Sequence, residues 1–402
     1  MAANLDAVRA ALAEPSPDPD RRHALGIQWQ RTLREIRRLP GLEDFLDAPE
    51  ADQLRALVPQ QGSVVTVNVS RHRCDALVLD RRNGLRVVPL PNLRHDELDR
   101  RTTEFGAAAA VAENPRLKLV DRLKAQATTR ETLGWLWDTV AAPVLQVLGH
   151  TSAPPDGGTW PRVWWSPTGA LGGLPLHAAG HFDEGAATVL DRVVSSYTPT
   201  IRALPRTPDA AAPVGRPLVV AIPDTPGHAP LPATLTEATD LGHAAGARLL
   251  LGPQATRAAV ADVLPSSRWA HFACHAHHDP AHPSGSHLVL HDQPLTITDL
   301  HRLRASHAQL AYLSACSTAR STGEFAGESI HLGSAFRLVG FRHVIATLWQ
   351  VDDHTAARMA RTFYAEHGSG DTALALHRAV REARATDPLL PTRWAAHIHT
   401  GV

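Results

Sequence analysis

The feature that most constrains this chain is the alternation of strand-like and helix-like segments between residues 217 and 367. "PLVVAIP" (217–223) is a short apolar run, and "TLTEATDLGHAAG" (234–246) behind it has the spacing of a helix. The pattern repeats with strand "ARLLLG", helix "TRAAVADVL" and strand "WAHFACH". After a hairpin-like "SHLVLHDQPLTI" and a short helix "TDLHRLR" it resumes with strand "AQLAYLSAC", helix "SIHLGSAFRLVG", strand "FRHVIATLW" and helix "DDHTAARMARTFYAEH". Apolar strands without polar alternation, each followed by a helix of about ten residues, describe an α/β fold. Its sheet is mostly parallel and flanked by helices on both faces.

The rest of the 402 residues divides around this core. Residues 1–58 are expected to be a short helical segment, with Leu25, Trp29, Leu33, Ile36 and Leu39 at helical spacing until Pro40-Gly41 breaks it. Residues 59–213 form a second region. It opens with β-branched runs on either side of Asn83-Gly84, a strong hairpin signal, and turns helical from about Glu97 to Leu148. It ends in the unpatterned, Pro-rich stretch Thr207–Pro217, which marks the boundary to a third region, 214–402.

Composition narrows the function. Forty basic residues balance forty acidic ones, and no basic patch points to nucleic acid. The three cysteines, Cys74, Cys274 and Cys316, show no CxxC spacing, so neither a disulfide framework nor a four-thiolate zinc site is expected. No apolar run is long enough to cross a bilayer, and the first residues lack a signal-peptide core; the expected location is cytoplasmic, with no membrane partner.

In open α/β sheets, chemistry gathers beyond the carboxyl ends of the strands. Two consecutive core strands end there in reactive side chains, His275 and Cys316. A single crossover between neighbouring parallel strands brings such ends side by side. A cysteine thiol is mostly protonated near neutral pH, and an adjacent imidazole activates it and can later protonate a leaving amine. The pliable loop Ser317–Glu328, with Gly323 and Gly327, leaves the sulfur uncovered and is a candidate switch, although most such loops only connect. A buried structural cysteine is the competing reading for either thiol. For Cys274, which points to the opposite sheet face from His275, the structural reading is preferred.

Other features carry two readings each. His271, His275, His277, His278 and His282 invite a metal site, but Pro280 and Pro283 break any helix and no HExxH spacing occurs, so no metal is expected. Asp352 and Asp353 are either acids at a helix N-terminus or part of a pocket selecting a basic side chain. His177 and the tryptophans 135, 137, 160, 164 and 165 are expected to be structural.

Several blocks together resemble the CHAT-domain peptidases, relatives of caspases and separase. These are "WSPTGALGGLPLHAAG", "SSYTPTIRAL", "LPATLTEA", "HFACHA", "LAYLSACST" and "VIATLWQVDDHTA", which occur in that order from about Gly62 onward. The resemblance implies a caspase-like sheet, with residues 59–213 as a degenerate, non-catalytic half and 214–402 as the catalytic region. It implies a His275–Cys316 dyad and peptide-bond hydrolysis through an acyl-enzyme, without a cofactor. It further implies an oxyanion hole from the backbone N–H groups of Ala276 and Cys316, and a substrate pocket lined by Thr347, Trp349, Asp352 and Asp353. Ala276 stands where the family has glycine, and Ala resists the positive φ that Gly accepts. The expected function is a cysteine endopeptidase acting on protein substrates and gated by a regulatory protein partner or signal; the alternative is a catalytically silent scaffold that works by protein binding.

Overall fold

Residues 2–13, 18–155, 157–182, 187–204, 215–279, 282–305, 308–314, 332–367 and 370–402 are described by a computed structural model. They form two compact units, 1–54 and 55–402. The first holds α1 (Ala2–Ala13) and α2 (Pro19–Ile36), which pack together as a helical pair. Asp18 caps α2 by accepting from the backbone N–H of Asp20, and Pro19 occupies the first helical position, where its missing N–H costs nothing. α3 (Ala51–Leu57) spans the boundary between the units.

The second unit begins with an antiparallel meander, β1 (Ser63–Asn68), β2 (Asp75–Asp80) and β3 (Gly84–Pro89). The expected hairpin turns through Arg81–Asn83. The Asp80 carboxylate accepts from the Asn83 N–H at 2.6 Å, and Gly84 takes a left-handed φ of 70°. Helices α4 (His95–Ala112), α5 (Leu119–Leu136) and α6 (Ala142–Leu148) follow, with a π-helical turn at Trp137–Ala141. Then come β4 (Arg162–Pro167), the small pair β5 (Gly180–His181) and β6 (Ala187–Thr188), and β7 (Val194–Tyr197). The expected linker falls largely outside the described residues.

Beyond it lie β8 (Leu218–Ala221), α7 (Ala233–Ala245), β9 (Arg248–Leu251), α8 (Arg257–Val263) and β10 (Trp269–Ala273). A small antiparallel sheet, β11 (Ala276–His277), β12 (His287–Leu288) and β13 (Leu295–Thr296), contains the predicted hairpin and leads into α9 (Ile297–His301). The chain continues through β14 (Leu310–Leu313), α10 (Leu332–Val339), β15 (His343–Thr347), α11 (Asp353–His367), α12 (Thr372–Thr386), α13 (Pro391–Trp394) and β16 (His397–Gly401).

The large sheet has 11 strands in the order β3-β2-β1-β4-β7-β16-β15-β14-β10-β8-β9. It is mostly parallel; β16 runs antiparallel to β15 but parallel to β7, and so closes the gap between the two regions. Every residue of β8 and β14 is buried, as expected for strands covered on both faces. All-parallel pairing of β9, β8, β10, β14 and β15 sends their carboxyl ends to one edge. The loops after β8, β10 and β15 therefore share that edge with the carboxyl end of β14. None of the helices among the described residues is long and apolar enough to cross a membrane.

Candidate active site

His275 lies two residues past the end of β10, with 9% of its surface exposed. Its backbone is held by the small sheet, because its carbonyl accepts from the Val289 N–H at 2.9 Å. Its ring Nε2 lies 2.8 Å from the carbonyl oxygen of Ala229 in the loop after β8. A carbonyl only accepts, so Nε2 carries the proton and the lone pair of the neutral ring sits on Nδ1. The ring of His228 stacks on that of His275 at 4.7 Å between centroids and 27° between planes. Burial lowers the His275 pKa below its ordinary value; the Ala229 bond opposes this, and the neighbouring His228 adds to it. The neutral, proton-accepting form is favoured.

Ala276 is paired directly with Leu288. The Val289-to-His275 bond beside this pair makes it a non-hydrogen-bonded pair, so the Ala276 N–H points away from β12. Its φ is not positive. The alanine here carries no strain that glycine would relieve.

Cys316 and the loop Ser317–Glu328 lie outside the described residues. The strand leading to them, β14, pairs with β10 in a register from Trp269↔Leu310 to Phe272↔Leu313, an offset of 41 residues. Cys274, by contrast, is 1% exposed and packs in the apolar cluster with Phe272.

The residues after β15 divide among several tasks. Thr347 is buried at the strand end. Trp349 is buried as well, its ring edge-on to Phe105 at 5.3 Å and its indole N–H donating to the Thr392 carbonyl at 2.9 Å. Asp352 is exposed, and its side chain accepts from the Thr355 N–H at 3.1 Å, capping α11. Asp353 accepts from the Ala233 N–H at 3.0 Å, at the start of α7. Both acids thus serve helix N-termini. Glu113, at the end of α4, was not singled out by the sequence. Burial raises its carboxyl pKa; a bond from the Thr392 hydroxyl opposes this, and the charge of Asp352 adds to it.

His271, within β10, and His277, after it, have different surroundings. His271 is fully buried, with Nε2 3.0 Å from Glu237 and Nδ1 3.1 Å from the Tyr364 hydroxyl. His277 lies beside His287. Among the described residues no three His, Cys, Asp or Glu side chains converge as metal ligands. His177 is bonded to the Tyr197 hydroxyl at 2.9 Å and buried, which lowers its pKa to about 3. Trp164 and Trp165 are core residues, and the ring of Trp160 packs at a tilt against His377, with centroids 4.5 Å apart.

The fold has counterparts in solved structures. The yeast separase–securin complex from Saccharomyces cerevisiae resembles it at a TM-score of 0.63 with 11% identity, over 94% of this chain and 32% of the separase chain. A second structure of that complex gives 0.60 and 11%, over 87% and 30%. The Arg-specific cysteine proteinase gingipain R gives 0.46 and 11%, over 66% of this chain and 68% of its own. The chain therefore spans about a third of the separase chains it resembles, and at this identity the likeness concerns the fold. No curated protein matches by sequence. The CHAT domain family profile matches residues 130–402, well over half of the chain, and the caspase-like α/β fold agrees with it. The chain belongs to the CHAT domain family.

Proposed function

We propose that this chain is a cysteine endopeptidase in which His275 and Cys316 form the catalytic dyad. The β10/β14 register supports the reading: its offset of 41 residues, seen as far as Phe272↔Leu313, equals the sequence separation of His275 from Cys316. The Ala229 bond supports it from the other side, because it leaves the Nδ1 lone pair to accept the thiol proton.

In this mechanism Nδ1 takes the Sγ proton and the thiolate attacks the scissile carbonyl. The oxyanion is bonded by the N–H groups of Ala276 and Cys316. The C–N bond then breaks as the imidazolium gives its proton to the leaving amine. Water, activated by the same ring, hydrolyses the thioester and restores the thiol. On this reading residues 59–213 are the non-catalytic half and 214–402 the catalytic region. The strand end with Thr347, Trp349, Asp352 and Asp353 borders the substrate. Asp352, the exposed acid of the four, supplies selection for a basic residue on the acyl side of the cut bond. The substrate is a protein, a second protein gates access, and the setting is cytoplasmic.

The test is a thiol-directed covalent probe with a peptide library, applied to wild type, Cys316→Ala and His275→Ala. Labelling at Cys316 that requires His275, with cleavage after basic residues, is expected. No labelling and no cleavage with a regulator supplied would leave the silent scaffold as the function.

A further inference from the structure

The loop between β8 and α7 supplies both groups that hold the His275 ring, although most of it is exposed. Its first residue, Ile222, donates to the Ala273 carbonyl of β10 at 3.0 Å. The Leu231 N–H donates to the Pro223 carbonyl at 2.7 Å and closes the loop on itself. Within it, the His228 N–H donates to Thr225 at 3.1 Å, and Thr234 turns its hydroxyl back to the Leu231 carbonyl at 2.7 Å. Pro223, Pro226, Pro230 and Pro232 restrict the backbone between these bonds. The result is a stiff clamp fastened to β10 at one end.

Its other end is fastened by one carboxylate. The N-cap position of α7 is Pro232, which has no side chain able to accept from the helix N-terminus. The acceptor comes instead from α11: Asp353 Oδ2 lies 3.0 Å from the Ala233 N–H. Ala233 is four residues past Ala229, whose carbonyl fixes the His275 tautomer. The neighbouring acid, Asp352, caps its own helix. Adjacent acids therefore do different work.

We propose that Asp353 is a positioning residue for the dyad: by anchoring α7 it holds the Ala229 carbonyl against His275 Nε2, and so couples the strand end beside the substrate to the general base. This rests on the peptidase reading, but its structural half does not need activity. The chain of contacts is short and each link is a hydrogen bond to backbone. A displacement of about 1 Å at such a group is enough to cost up to about a hundredfold in rate.

The experiment compares Asp353→Asn, which keeps an oxygen acceptor, with Asp353→Ala, which removes it, in the full chain. Asp353→Leu takes the place of the alanine variant if that one does not fold. Nitrogen-15 NMR of the imidazole rings in a Cys316→Ala background, with His275 assigned by His275→Gln, reads the tautomer without any turnover. Expected are a retained Nε2–H form in the asparagine variant and a mixture of tautomers without the acceptor. In the cysteine-containing enzyme, kcat should fall about tenfold or more for alanine, and asparagine should restore most of it. An unchanged tautomer in Asp353→Ala would overturn the proposal, as would equal losses in both variants with altered preference for basic residues. If wild type cleaves nothing, the peptidase reading fails while the tautomer comparison still decides this one.

Discussion

His343 on β15 and His399 on β16 share a hydrogen bond of 3.0 Å between Nδ1 and Nε2, at the point where the antiparallel strand joins the two regions of the sheet. His399 continues through Nδ1 to the Ser196 hydroxyl on β7 at 2.8 Å. Such a bond needs one ring N–H and one ring lone pair, so the two rings cannot both be charged.

Acid should therefore weaken this fold early. Burial lowers the pKa of His343 to about 4, of His397 to about 4 and of His377 to about 3, and that of His399 well below its ordinary value. In the unfolded chain these rings titrate near 6.5. Below that pH the unfolded state binds protons that the folded state refuses, so stability is full above about 6.5 and falls as pH drops toward the folded values. Each ring contributes about 1.4 kcal/mol per pH unit in that window. Urea unfolding midpoints at pH 7.5, 6.5 and 5.5 should decline, more steeply in the last interval. A flat series would contradict the neutral assignment.

Glu237 on α7 and His271 on β10 are both buried and lie 3.0 Å apart. Removing one partner strands the other in a site that excludes water. Glu237→Leu or His271→Leu alone should cost about 3–5 kcal/mol, while the double variant should recover much of that loss. A double-mutant cycle by denaturant titration measures it, and additive single losses would show that the two groups do not interact.

Glu113 presents the opposite case. Its carboxyl pKa is raised, chiefly by burial, so ionisation costs stability that is present below the unfolded pKa and lost as pH rises through the folded one. Glu113→Gln keeps an oxygen to accept from the Thr392 hydroxyl and removes the charge facing Asp352. Melting at neutral pH should move upward, and the gap to wild type should close in acid. A lower melting temperature at pH 7 would mean that Arg122 and Arg393 compensate the charge.

The parallel core was legible because its strands are apolar on both faces and its helices follow at regular intervals. The central strand β16 was not, because "HIHTG" holds His397, His399 and Thr400 in five buried positions. Its polarity hides a strand whose His399 ring bonds to His343 and Ser196, far away in sequence. His275 could be named from its place after an apolar strand. Its partner could not, because Ala229 contributes a carbonyl that any residue has. Asp353 was readable as an acid at a helix start, but the start that it caps belongs to α7, 120 residues earlier.

Replacing Ala276 with glycine tests whether the departure at this position matters. Glycine would be required if the residue needed a positive φ, but Ala276 sits in a short extended strand opposite Leu288, its N–H already turned away from β12. Glycine in such a strand loses more freedom on folding, so Ala276→Gly should destabilise by roughly 0.5–1 kcal/mol. The oxyanion donor of the proposed mechanism is the same backbone N–H in both variants, so kcat/KM should not rise. Steady-state cleavage and thermal melting on the same samples separate the two effects. A gain of tenfold or more in kcat/KM would show that the alanine misplaces its N–H and that the extended geometry is not the one used in turnover.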